Sequence, residues 1–417
     1  AGYGRHRIAG EAKLSRGPEN VGSEGRPITV LLVFGTRPEA IKMAPVFKAL
    51  RARPGEFSVK VCTTGQHREL LDQPLEVFGI EPDVDLGVMK PSQTLATLTS
   101  SIITDLTTVM EDINPSVVLV QGDTTTAFIG ALTAFYLRIP VGHVEAGLRT
   151  NDIYSPFPEE ANRRLCSVVA QLHFTPTQRA SQALVRDNVD PASIHQTGNT
   201  VVDALVWGLS LIDGDVELRA TLEGWFRSIP AGEAVMAGNS RLIMVTGHRR
   251  ESFGEDFEAM AESIKALSKR FPDDAFVYPV HMNPNVREPI HRILGGLLNV
   301  FLIEPVSYSE MLFLLSKTYL ILTDSGGIQE EAPTLEIPVL VMRKNTERPE
   351  GVEVGCSELV GTDCEKIVET ASRLLSDRDR YQSMQVAETP YGDGRAAERI
   401  IEILSNEFGS PEPRAKG

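Results

Sequence analysis

Cysteine is scarce in this chain. Four residues in 417 (Cys62, Cys166, Cys356 and Cys364) lie far apart with no CxxC pair. That excludes a disulfide-stapled scaffold and a structural zinc site, and it reads as the reduced thiols of a cytosolic protein. Positive charge is also in deficit: 41 Lys+Arg stand against 56 Asp+Glu, a net charge of -15. So acidic a surface repels nucleic acid and anionic lipid, and a phosphate ligand must be caught by local cations and backbone amides. No run approaches the roughly 18 apolar residues needed to span a bilayer. No His, Cys and carboxylate set has metal-site spacing, so no catalytic metal is expected, and no Ser, His and Asp order forms a nucleophile elbow. Residues 1–26 are rich in Gly, Arg, Glu and Ser and lack the apolar stretch of a signal peptide. They read as a disordered tail outside the fold, as does the loose end 410–417.

What is present is a rhythm. The apolar run Ile28–Phe34 ends at Gly35 and predicts a strand buried on both faces. Pro38 and Glu39 then open a helical pattern through Leu50, Pro suiting a first helical turn and Glu the positive end of the dipole. Strand-like runs recur at Phe57–Cys62, Val117–Val120, Ile139–Gly142 and Leu172–Phe174, each ending in a polar cluster. After Gly198-Asn199-Thr200 the pattern restarts at Leu242–Val245, Phe276–Val280, Val300–Ile303, Tyr319–Leu322 and Pro338–Met342. Strands alternating with helices at this spacing predict an α/β protein of two doubly wound parallel sheets. The expected domains are 27–200 and 201–390, with a helix near Ala396–Leu404, inside 391–409, returning to the first. Ligands of open parallel sheets bind outside the carboxyl ends of the strands. Nearly every reactive cluster here follows a strand, so two facing domains would bring both sets to one cleft.

Gly35-Thr36-Arg37-Pro38-Glu39 is a short strand–helix turn, neither a GxGxxG nor a Walker loop. Gly allows close backbone approach, the helix start favours anions, and Arg37 is a bidentate phosphate donor, with Lys42 one turn on as a second cation. The plain alternative is a tight turn with a solvated Arg. Thr323-Asp324-Ser325-Gly326-Gly327 offers amides and a hydroxyl to a pyrophosphate, and Glu331 can accept from ribose hydroxyls. Asp123, Glu145 and Glu159 are the acid–base candidates, expected beside Arg149, Arg163 and Arg164; such clustering drives carboxyl pKa values apart. Asp123, before three threonines, could instead cap a helix. His248, between Gly247 and two arginines, suits a phosphate, and His281 is similar. His173 reads as a core residue, and His195 and His291 as surface residues.

Together the stretches FGTRPEAIKMAPV, TGQHREL, QGDTTTA, VGHVEAGLRT, PFPEEANRR, TGNTVVDAL, GHRRESFG, YPVHMNP, LTDSGGIQEEAP, TERPEG and PYGDGRA resemble the non-hydrolysing UDP-N-acetylglucosamine 2-epimerase family. The resemblance runs in order from Phe34 to Arg395. It implies a GT-B-like fold and the interconversion of UDP-GlcNAc and UDP-ManNAc by elimination of UDP to 2-acetamidoglucal and re-addition, a route that needs no cofactor. It also implies a cytoplasmic homodimer that serves cell-surface polysaccharide synthesis. Carried over by residue, it makes Asp123, Glu145, Glu159, His248, Lys42 and Arg163 catalytic. Substrate contacts fall to Arg37, Lys42, His248, His281, Ser325, Gly326, Gly327, Glu331 and Arg348. A second UDP-GlcNAc site, an activator site in some bacterial members, would draw on Gln66, His67, Arg249 and His281. Departures at Glu69 and Ser92 predict weakened or absent activation. A hydrolysing epimerase that releases ManNAc, a GT-B glycosyltransferase and a non-catalytic UDP-sugar sensor are the alternatives; the three carboxylates would have no task in the last two.

Overall fold

The structure, a computed structural model, describes residues 27–65, 68–89, 93–249, 253–386 and 389–409. The two tails therefore lie outside the described residues. Among the described residues thirteen strands form two sheets. The first holds β1 (Ile28–Phe34), β2 (Phe57–Thr63), β3 (Val84–Asp85), β4 (Val117–Gln121), β5 (Val141–Val144), β6 (Leu172–Thr175) and β7 (Ile194–Gln196), in the order β3-β2-β1-β4-β5-β6-β7. The second holds β8 (Leu242–Thr246), β9 (Ala275–Pro279), β10 (Val300–Ile303), β11 (Thr318–Thr323), β12 (Val339–Val341) and β13 (Ser357–Leu359), in the order β10-β9-β8-β11-β12-β13. Every pairing is parallel. In each sheet the order reverses beside the first strand, which opens a crevice at the carboxyl ends.

The apolar runs become strands because helices cover both faces. In β1, Ile28, Val30, Leu32 and Phe34 point into one core and Leu31 and Val33 into another, the two-residue alternation of a pleated strand. Three strands escape the sequence pattern: β3, β7 and β13 have two or three residues each at or next to sheet edges and no continuous apolar run. His143 and Val144, expected in the loop after β5, belong to the strand.

The chain passes from the first sheet to the second after β7, through the helix Thr200–Gly214. That helix packs on the helix Arg37–Arg51 of the first lobe and on the helix Tyr308–Lys317 of the second. Its Leu205 and Ile212 belong to one hydrophobic layer that runs beneath both sheets. The final helix, Ala396–Phe408, lies against Arg37–Arg51 and adds Ile400, Ile401 and Leu404 to the same layer.

Candidate active site

Glu145 is the centre of the interlobe cleft. The register of β4 and β5 pairs Gln121 with Val144, so Gly122-Asp123 and Glu145 leave the sheet side by side. Glu145 adopts a left-handed φ of 63°, uncommon for a residue with a Cβ and a mark of functional constraint. Its buried carboxylate lies 2.6 Å from Lys42 Nζ and accepts from Asn199 Nδ2 at 3.0 Å and from the Gln121 side-chain amide. Burial alone would raise its pKa, but Lys42, Arg348 and these hydrogen bonds overcome it and hold Glu145 below the usual carboxylate range. Burial likewise opposes the charge on Lys42, yet Glu145 and Glu330 keep its pKa raised. The ammonium of Lys42, expected to face a phosphate, is engaged by Glu145, with Glu330 of the other lobe 3.9 Å away.

Glu330 comes from the short helix Gly326–Glu331 and accepts from Arg348 Nε at 2.9 Å. Arg348 passes close to Gly326, where an added Cβ would sit 3.1 Å from the guanidinium carbon. Room for this arginine is a reason for glycine there. The Ser325 amide turns inward to Thr323 Oγ1 at 2.9 Å, while Gly327 faces open space. The Ser325 amide is thus committed to its own turn, which leaves the Ser325 hydroxyl and the glycine amides to meet a ligand.

Asp123 does not cap the helix Thr125–Tyr136; Thr124 does, accepting from Ala127 N at 3.0 Å. The Asp123 carboxylate is gripped by Arg163, through Nη2 at 2.7 Å and Nε at 2.9 Å. Arg163 lies on the helix Glu159–Val169, one turn after Glu159, whose Oε2 is buried without a hydrogen-bond partner. The fully buried Glu160 ties Arg163, Arg164 and the Thr150 amide together. Of the three arginines expected beside the acid group, Arg163 alone pairs with one of its members; Arg149 pairs with Asp187 and Arg164 with Glu160.

The Gly35-Thr36 turn is not an open anion site either. The Glu39 side chain accepts from the Gly35 and Thr36 amides at 3.1 and 2.8 Å and from Thr124 Oγ1 at 2.7 Å, so the turn carries its own anion in a capping box. Burial pushes Glu39 up to about 7 against those hydrogen bonds. Arg37 remains available. It lines a cavity of about 310 Å³ with Ile41, His248, His281, Tyr308 and Glu331. Burial and the Glu330 charge push Glu331 up to about 7. The amides of His248 and Arg249 donate to the buried Asp324 at 2.8 Å each, and the His248 ring stacks on His281 with centroids 5.6 Å apart. Burial lowers the His248 pKa, despite the Asp324 charge. A second interlobe cavity, of about 470 Å³, opens between Arg149–Pro156 and Arg343–Glu347.

Gln66, His67 and Ser92 lie outside the described residues. His173 is buried, His291 is exposed, and His195, expected at the surface, is half-buried in β7. Sequence reasoning missed Gln121, Asn199, Glu330 and Asp324 as parts of the site. One signal was available for them: a lysine on a buried helix face requires acidic partners, and a buried acid requires donors. Among the described residues no group of three His, Cys, Asp or Glu could hold a metal ion, and no helix is long and apolar enough to cross a membrane.

Two parallel-sheet lobes with charged residues interleaved across the gap define a two-domain α/β protein of GT-B type. The family profile described as UDP-N-acetylglucosamine 2-epimerase matches residues 48–405. The chain is 52% identical over 377 residues to a UDP-N-acetylglucosamine 2-epimerase of Escherichia coli, covering 90% of this chain and 98% of that one. Its fold matches the UDP-GlcNAc 2-epimerase of Neisseria meningitidis bound to UDP-GlcNAc, with a TM-score of 0.85 and 48% identity over 91% of this chain and 100% of the other. It also matches Staphylococcus aureus MnaA in complex with UDP, with a TM-score of 0.81 and 42% identity over 94% and 100% of the two chains. The chain belongs to the UDP-N-acetylglucosamine 2-epimerase family.

Removing one member of a buried ion pair leaves its partner charged and uncompensated, at a cost of about 3–5 kcal/mol. Lys42→Met should therefore lower the denaturant midpoint substantially, and Lys42→Met/Glu145→Gln should recover part of the loss. A double variant no more stable than the single one would mean that the pair is not the source of the effect.

Proposed function

We propose that this protein interconverts UDP-GlcNAc and UDP-ManNAc without hydrolysis, through loss and re-addition of UDP. The C2 hydrogen has no neighbouring ring carbonyl to acidify it. Departure of UDP with the electrons of the C1–O bond makes C1 electron-poor, so a base can take the C2 proton as C1=C2 forms. Return of a proton to the opposite face, with re-addition of UDP at C1, gives the epimer. The observation that carries this reading is the buried pair of Glu145 with Lys42, 2.6 Å apart, with the charge of Arg348 from the other lobe also holding Glu145 ionised. In this reading Asp123, Glu145 and Glu159 handle the C2 proton, and Arg163 orients Asp123. Arg37, Arg348, His248 and the Ser325-Gly326-Gly327 turn meet the diphosphate. Fixed charges of this kind stabilise a leaving group without reorganising when it departs. Glu331 takes the ribose hydroxyls, His281 lies on the nucleotide side, and domains 27–200 and 201–390 are the two working units.

Incubation of the wild-type protein with UDP-GlcNAc in D2O should place deuterium at C2 of both epimers by proton NMR. Asp123→Asn, Glu145→Gln and His248→Ala should each slow turnover by about 10²–10⁴-fold. Free ManNAc as the main product, or unlabelled C2, would sink the mechanism.

The Glu331 value of about 7 sets a sign for nucleotide binding. Above that pH the carboxylate is ionised and accepts from both ribose hydroxyls; below it, a proton occupies one oxygen. UDP affinity measured by calorimetry should fall as the pH drops from 8 to 6 by about tenfold per unit at most, and more steeply than for Glu331→Gln. Equal slopes would remove Glu331 from the ribose site.

A homodimer is proposed on the patch formed by Phe135 and Tyr136 with Leu165 and Val168, on two helices that pack together. Tyr136 is 64% and Val168 80% exposed, and clustered exposed apolar residues mark association surfaces. Light scattering should give twice the chain mass of 45.6 kDa for the wild type and a monomer for Val168→Asp; a monomeric wild type would overturn the dimer.

A further inference from the structure

The chain crosses between the lobes twice, and the two crossings touch. Gly198 and Gly392 have φ of 93° and 125° and pack backbone to backbone; a Cβ on Gly198 would lie 3.3 Å from the Gly392 Cα. Beside them, Asn199 N donates to Tyr391 O at 2.7 Å. Both side chains are buried, Asn199 to 1% and Tyr391 to 2% exposure. They reach in opposite directions. Asn199 Nδ2 donates to Glu145 Oε1 at 3.0 Å, while its Oδ1 accepts from Val201 N at 3.1 Å and caps the helix Thr200–Gly214. Tyr391 Oη accepts from Gly351 N at 3.1 Å and donates to the carbonyl of Arg348 at 3.3 Å. One hydrogen-bonded pair thus grips the carboxylate of one lobe and the main chain of the opposing arginine in the other.

We propose that Asn199 and Tyr391 are positioning residues for the reaction: joined at the double crossing, they fix Glu145 of the first lobe relative to Arg348 of the second. This rests on the functional reading given above. A cap alone would need only the Asn199 oxygen, and a buried phenol would be satisfied by one polar partner, whereas this one bonds two main-chain groups of the segment that carries Arg348. Instead, Asn199 spends its amide donor on the acid group. The Lys42 and Asn199 contacts converge on the same oxygen, Oε1, which leaves Oε2 to Gln121. The carboxylate therefore has its orientation set from three elements: the first helix, the end of β4 and the crossing.

The variants Asn199→Asp and Asn199→Ser keep a capping oxygen and the main-chain bond to Tyr391 but remove the donor to Glu145. Both should lower kcat about 10–100-fold with KM within about threefold of wild type, the pattern of an interaction that matters in the transition state. The acid limb of kcat against pH should move upward, because a hydrogen bond favouring the ionised carboxylate is lost. Tyr391→Phe should lower kcat about tenfold without moving that limb. Wild-type kcat and an unmoved acid limb in both Asn199 variants would overturn the proposal, as would a loss of melting temperature with no kinetic change. A wild-type protein inactive on UDP-GlcNAc would instead sink the functional reading and this one with it.

Discussion

The contact between Lys42 and Glu145 at 2.6 Å organises everything around it. Neither charge could be buried alone, since an isolated ion in a low-dielectric interior is strongly disfavoured. Paired, they still need further partners, and these come from the other lobe. Glu330 stands 3.9 Å from Lys42, and Arg348 holds Glu330 at 2.9 Å. The result is an alternating run of acid and base across the gap, so the electrostatic stability of each lobe depends on the presence of the other. Further out, Thr177 bonds Glu350 and Arg179 bonds Glu353 across the same boundary. The cleft is a place where two incomplete charge distributions complete one another.

Such an arrangement suits chemistry in which a diphosphate leaves and then returns. Glu145 stays ionised because its cations are built in, and it need not await a ligand for them. The nucleotide side differs in kind. Glu331 lacks a direct ion pair among the described contacts and sits high in pKa, and burial lowers the His248 pKa against the Asp324 charge. One half of the cleft has its protonation state fixed by internal pairs, and the other is poised to respond to what binds.

Much of this was legible in the sequence, for a physical reason. Strands buried on both faces must be almost continuously apolar, so Ile28–Phe34 announces itself to the residue. Short strands near sheet edges bury little and leave no such trace, which is why β3, β7 and β13 were not readable. Polar clusters at strand ends could be located because the strands were. Which cluster member pairs with which could not, because pairing is decided by positions far apart in the chain. Lys42 illustrates this: its place on a helix start suggested a phosphate, but its partner is 103 residues away. Glu39 and Asp123 show the same limit in reverse. Each looked like a local helix feature or a free acid, and the structure gives Glu39 the amides of its own turn and Asp123 a guanidinium from the helix Glu159–Val169, 40 residues on.

The final helix bears on how the molecule comes into being. Ile400, Ile401 and Leu404 supply part of the layer under the first sheet, although they follow the whole second lobe in the chain. During synthesis the first lobe emerges early but lacks one wall, so the helix Arg37–Arg51 must wait for its covering helix until the second lobe has been made. Biosynthetic order and the order of completion are therefore inverted in this protein. The half made first is finished last.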